Sequence, residues 1–254
     1  SGTKFSTHVG NGGPFRHGQG FDARPEVLQG FSNAAFHADA AQYFQSHAAR
    51  IADVSALPSS WDEITLRGSY TKGTGTFIFD GAGAQAFTAA GLDYGNVQTS
   101  VAGTAVTQSG AATTDALTVD LGTSYTTGGT LTVNGALGVA GTLSSGNFAV
   151  AVNAPTTVTG TLDISSMGAG TALTLSGDLD LSAGAFTKAV SGTGGVVFDG
   201  GAGKTISADG DDLGDVTLAA TAGNVVTLTD ATLTVDNLTI NPAAVWRLNP
   251  ATVA

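Results

Sequence analysis

The sequence predicts an all-β chain coiled as a β-solenoid, led by an extended arm and one α-helix. Three observations carry this. A 25-residue phrase occurs twice, as GTGTFIFDGAGAQAFTAAGLDYGNV at 73–97 and GTGGVVFDGGAGKTISADGDDLGDV at 192–216, with eleven identities at an offset of 119 and no gap. Such self-similarity marks repeat architecture. From Trp61 onward, apolar residues alternate with polar ones in short runs split by Gly, Asn, Asp and Ser. Leu131, Leu137 and Leu143 recur every six residues, as do Leu173 and Leu179, which fits one inward residue per short side of a coil.

A tandem β-sandwich is the competing architecture. The repeat leans against it. Only 38 residues follow the second phrase, whereas 94 lie between the two copies. A sandwich cut to half its length loses its core. A solenoid can stop after any coil, because each coil touches only its neighbours.

Residues 1–60 read as a cap or assembly region. Residues 1–31 are Gly-rich and irregular but carry Phe5, Phe15 and Phe21. A wholly disordered tail is poorer in aromatics, so the segment reads as an arm that docks on its own domain or on a neighbour. Residues 33–54 read as an amphipathic helix. Phe36, Ala40, Tyr43, Phe44, His47, Ile51 and Val54 form its apolar stripe, Ser32 or Asn33 caps its start, and Pro58 lies beyond its end.

Residues 61–254 form the repeat domain. Its expected strands include runs at Ile64 and Leu66, Phe77 and Phe79, Leu117 through Leu121, and Phe148 through Val152. Leu233 and Val235, and Leu238 and Ile240, mark two more. Between 59 and 241 the only proline is Pro155, which suits continuous strand pairing. Within the phrase, Phe77 and Phe79 point inward and Asp80-Gly81 turns the chain. Gly81 and Gly83 allow positive φ, Phe87 re-enters the core, and Gly91 and Gly95 turn the chain again. Each inward aromatic is expected to stack on the next coil.

Composition narrows the function. Charged residues are 11% of the chain, against roughly 25% in an ordinary domain, and the formal net charge is −11. Nucleic-acid binding needs clustered Lys and Arg, and none occurs from Gly73 to Thr187. With no cysteine there is no disulfide framework, thiolate metal site or Cys nucleophile. No apolar run is long enough to span a membrane. The chain starts at Ser1 rather than Met and shows no signal peptide, as a processed or trimmed product would.

The phrase, with TLTVDNLTI (232–240) and GGTLTVNGALGVAGTL (128–143), resembles the β-strand repeats of large bacterial surface proteins, including passenger repeats of autotransporters and haemagglutinin-type adhesins. The likeness covers roughly 61–250. It implies a right-handed parallel β-helix on a cell exterior or in a surface fibre, and no catalytic residue.

Candidate chemistry is sparse. DGDDLGD (209–215) offers Asp209, Asp211, Asp212 and Asp215 as calcium ligands, although its spacing is not that of an EF-hand. No other cofactor is expected. The plainer reading is a solvated acidic turn. Asp211 and Asp212 also mimic the carboxylate pair of a polysaccharide-cleaving enzyme. The solenoid, however, has only Arg67, Lys72, Lys188, Lys204 and Arg247 as cations and no His to tune them. His8, His17, His37 and His47 show no metal-ligand spacing. Trp61 and Trp246 flank the β region, as sugar platforms or as caps of the core. The sequon at Asn237 falls inside an expected strand.

The reading is a non-enzymatic, extracellular subunit of a surface filament. It assembles head to tail with copies of itself through the arm (Phe5, Phe15, Phe21) and an open end near Trp246. A glycan- or surface-binding adhesin or phage tail-fibre segment is the alternative.

Overall fold

The computed structural model describes residues 72–248, apart from 90, 202, 220–224 and 231, together with the strand at 63–65. The arm, the helix expected at 33–54, Trp61 and the four histidines lie outside these residues. The described chain is a parallel β-solenoid with three faces.

Strands are numbered in chain order. Face 1 stacks β2 (Thr76–Phe79), β4 (Asn96–Thr99), β7 (Ala116–Val119), β10 (Leu137–Val139), β13 (Thr156–Val158), β16 (Leu179–Asp180), β19 (Lys204–Ser207), β21 (Val225–Leu228) and β23 (Val245–Leu248). Face 2 stacks β1 (Glu63–Thr65), β3 (Gly83–Thr88), β5 (Thr104–Ser109), β8 (Ser124–Thr126), β11 (Thr142–Ser144), β14 (Thr161–Asp163) and β17 (Ala185–Thr187). Face 3 stacks β6 (Ala112–Thr114), β9 (Leu131–Val133), β12 (Val150–Val152), β15 (Ala172–Leu175), β18 (Gly195–Phe198), β20 (Asp215–Leu218) and β22 (Asn237–Ile240).

The chain winds from face 1 to face 2 to face 3 and back to face 1. Every strand pairing is parallel. That settles the architecture against a sandwich, whose sheets are antiparallel. The nine strands of face 1 enclose eight full turns. Turn length ranges from 18 residues (Ser124 to Thr142) to 27 (Leu179 to Ile206), so no single period shows in the sequence.

Alternation places the core. Leu131, Leu137 and Leu143 sit on faces 3, 1 and 2 of one turn, and all are buried. On face 1 the inward column runs without slip from Phe77 through Val97, Leu117, Leu137, Thr156, Leu179 and Ile206 to Leu228. One continuous hydrophobic core results.

Several expectations change in detail. Leu121 and Phe148 are not in strands; they lie in corner turns, 80% and 38% exposed. Gly83 has φ +105, but Gly81 does not adopt a positive φ and is instead closely approached by the Gln85 side chain. The aromatics of the first phrase pack on each other within one coil rather than on the next. Phe79–Phe87 and Phe87–Tyr94 centroids are 5.3 and 4.7 Å apart, both edge to face. The reason is the narrow bore, where three faces converge on one axis. The next coil offers Val97 and Thr99 to Phe77 and Phe79.

Candidate functional site: twin corner clamps and an open last coil

The two phrases are one structural unit set on different faces. The first runs as β2 on face 1, β3 on face 2, a turn at face 3 and β4 on face 1. The second runs as β18 on face 3, β19 on face 1, a turn at face 2 and β20 on face 3. The unit is therefore rotated by one face between its copies. Both units span one 20-residue turn, Phe77 pairing with Val97 and Val196 with Val216.

The likeness runs past the phrase. TTDALTV at 113–119 matches TVDNLTI at 234–240. Tyr125 and Trp246 then take matching places on β8 and β23. The preceding turns also agree: Gly122 has φ 77 and Ala243 has φ 73, with Thr123 N–H on the Asp120 carbonyl and Ala244 N–H on the Asn241 carbonyl, both at 3.1 Å. Coil β7–β8 is thus the internal twin of coil β22–β23.

Each block carries a clamp at the corner ahead of its leading strand. Lys72 Nζ bonds Asp93 Oδ2 at 2.6 Å and also Asp115 Oδ1. Lys188 Nζ bonds Asp212 Oδ2 at 2.5 Å and Asp236 Oδ1 at 2.6 Å. Each lysine and its two aspartates come from three successive turns, so each clamp ties three coils. Asp93 Oδ1 and Asp212 Oδ1 each accept the N–H of the glycine two residues on, Gly95 or Gly214. Both glycines have φ 70, and each lies against its lysine's stem. That close approach explains why the phrase keeps them.

The electrostatics hold the clamps ionised. Hydrogen bonds to Asp115 and Asp93 raise Lys72 above its ordinary pKa, and bonds to Asp212 and Asp236 raise Lys188. Burial pushes Asp93 up, but the bonds from Lys72 and Gly95 outweigh it and leave it below the usual carboxylate value. The Lys188 bond lowers Asp212. These pairs are ionic tethers.

The acidic cluster is dispersed by its turn. Asp211 Oδ2 accepts Phe186 N–H at 2.9 Å, and Asp212 belongs to the clamp. Asp215 accepts Gly192 N–H and Asn237 Nδ2, each at 2.6 Å, and these bonds hold it below the usual carboxylate value. Asp209 turns the chain at φ 48 and donates its N–H to Asp230 Oδ2 at 3.0 Å. Among the described residues no group of three or more His, Cys, Asp or Glu is poised to hold a metal ion. Asp211 and Asp212 are used separately, by a backbone amide and by a lysine. The clamp lysines escaped sequence comparison because they lie 116 residues apart, not 119; allowing a three-residue gap ahead of the phrase would have aligned them.

The last described coil differs from its twin in what covers it. Leu117 and Val119 on β7 are fully buried, beneath Leu137 and Val139 of the next turn. Their counterparts on β22, Leu238 and Ile240, are 42% and 48% exposed, although both continue the inward columns of Val216 and Leu218. Trp246 is half-buried against the core. Asn237, the sequon residue, spends its amide on Asp215 and Ser191. The remaining assembly candidates, Phe5, Phe15 and Phe21, lie outside the described residues.

No family model, curated protein or solved structure matches the chain. The fold agrees with the broad class of β-helix structural and adhesin proteins, and no relative supports a particular family within it. No described helix is long and apolar enough to cross a membrane.

Proposed function

We propose that this chain is a non-enzymatic structural subunit of an extracellular surface fibre, joined end to end to copies of itself. The observation that carries the reading is the open last coil. An unpaired strand edge recruits another strand, and here the edge is backed by inward leucine and isoleucine that the internal twin keeps covered. A contact between unlike ends that does not close produces a filament. The low charge and the hydroxyl-rich faces suit an extended exterior surface, and the clamps suit a rod that must not fray at its corners.

Sedimentation velocity over rising protein concentration tests this. Wild type should form species of growing size, and Leu238→Asp should hold the chain monomeric. Loss of polymerisation on deleting residues 1–20 would assign the arm a part. A size distribution that ignores both concentration and Leu238 contradicts the reading.

A glycan-binding role has one observation in its favour. At the corner of faces 1 and 2, Gly103-Thr104 stacks on Gly122-Thr123 and Gly141-Thr142 on Gly160-Thr161, with a one-residue slip between the two sets, and together they floor a shallow groove of ≈ 510 Å³. Saturable binding of a neutral oligosaccharide by monomer, abolished by Ser124→Arg in that groove, would favour this role instead.

A further inference from the structure

We propose that residues 189–191 form an acid-released strap, held over the corner between faces 2 and 3 by Asp215 and Asn237 and freed when Asp215 takes up a proton. The strap is an insertion. Lys72 runs directly into the first phrase at Gly73, whereas Ala189, Val190 and Ser191 stand between Lys188 and the second phrase at Gly192. The three residues lie in the turn from β17 to β18. Ala189 is buried, and Val190 at the tip is 69% exposed. The turn closes on itself, with Thr193 N–H on the Val190 carbonyl at 3.0 Å.

Two residues from the following coils fasten it. Asp215 Oδ2 accepts Gly192 N–H at 2.6 Å, and its Oδ1 accepts the Ser191 hydroxyl at 3.3 Å. Asn237 Nδ2 donates to Asp215 Oδ1 at 2.6 Å and to Ser191 Oγ at 3.2 Å. The first block lacks the insertion, and there Asn96 and Ala116 stand at the places of Asp215 and Asn237. The insertion and its fastening occur together. The fastening needs the carboxylate. Ionised Asp215 only accepts, and it takes three donors. Once protonated, one of its oxygens becomes a donor facing donors. The charged groups at this corner are Lys188 from the coil before, Asp212 from the turn ahead of β20 and Asp236 from the coil after, with both acids bonded to the lysine. The bonds from Gly192 and Asn237, with Lys188 nearby, hold Asp215 below the usual carboxylate value. The strap is therefore fastened above about pH 4 and released as pH falls through that lowered value. Release is local, because the pairings of β17 and β18 do not pass through the strap.

Two measurements decide. The chain has no cysteine, so a spin label on Val190→Cys reports the strap alone. A label on Leu121→Cys, in an exposed corner turn of the first block, reports the solenoid around it. Electron paramagnetic resonance of the Val190 label should show restrained motion at pH 7 and free motion in acid, while the Leu121 label and the circular dichroism stay unchanged. With Asp215→Asn added, the Val190 label should be mobile at every pH. The Gly192 amide of Asp215→Asn at pH 7 should exchange with solvent about tenfold faster than in wild type, through loss of one bond to a charged acceptor. An acid transition shared by both labels is global unfolding and overturns the strap. So does an acid transition that survives in Asp215→Asn, or a Gly192 amide that exchanges there at the wild-type rate. The strap and its fastening belong to one chain, so end-to-end assembly stands or falls separately.

Discussion

The first three coils and the last three are built on one sequence pattern and end differently. In the first block the unit holds a ring of aromatics, Phe77, Phe79, Phe87 and Tyr94, each at most 7% exposed. In the second block the same positions carry Val196, Phe198, Ile206 and Leu213, also buried. The corners agree as well: a lysine between two aspartates, a glycine at φ 70, a bridge from the turn to a threonine one coil on (Asp93 to Thr113, Asp212 to Thr234). What changes is the neighbour above. Coil β7–β8 has one among the described residues, and β22–β23 has none. The comparison shows that exposure of Leu238 and Ile240 is a property of position in the stack, not of local sequence.

Breaking the shared core should have the largest effect. Phe87→Ala removes the ring that touches Phe77, Phe79 and Tyr94. It should cost about 3–5 kcal/mol in denaturant unfolding. Ile206→Val, at the matching place in the second block, removes one methylene and should cost about 0.5–1.5 kcal/mol.

Next comes the twin pair itself. Leu117→Ala should destabilise the monomer by about 2–5 kcal/mol. Leu238→Ala should cost the monomer under about 1.5 kcal/mol, because much of its side chain is already in water. Equal losses at the two sites would mean that the last coil is covered.

The matched turns give a smaller, signed effect. Ala243 adopts the left-handed conformation that Gly122 adopts in the first block. Ala243→Gly should stabilise by up to about 1 kcal/mol, since a Cβ is disfavoured there. Gly122→Ala should destabilise, because its Cβ would also meet that of Ala102 at 3.1 Å.

The clamps should give the smallest effect at neutral pH, since their carboxylates and lysines are about a third exposed. Their pH dependence has a definite sign. Asp93 and Asp212 titrate below their ordinary value in the fold, so their contribution is complete above about pH 4 and lost as pH falls through the lowered values. Lys72 and Lys188 are raised, so theirs is complete below about pH 10 and lost as pH rises further. Asp93→Asn with Asp212→Asn should flatten the acid limb of Tm against pH, and added salt should narrow the gap to wild type.

Much of the fold was legible because alternation and turn glycines are local signals. The six-residue leucine spacing implied one inward residue per short side of a coil, and Leu131, Leu137 and Leu143 do lie buried on three successive strands. Leu121 and Phe148 misled because an alternating pattern continues into corners where the chain has already left the strand. The site was less legible. The clamp joins residues 21 to 48 apart through unequal turns, and no spacing in the sequence announces which turn will stack on which. The one-face rotation was hidden for the same reason: an offset of 119 residues spans five and two-thirds turns, which only the strand register reveals.

Electron microscopy of wild type beside Leu238→Asp/Ile240→Asp tests the open end most directly. Unbranched fibres from wild type, and dispersed monomers of unchanged circular dichroism from the variant, are the predicted result. Fibres of equal length from both would contradict it.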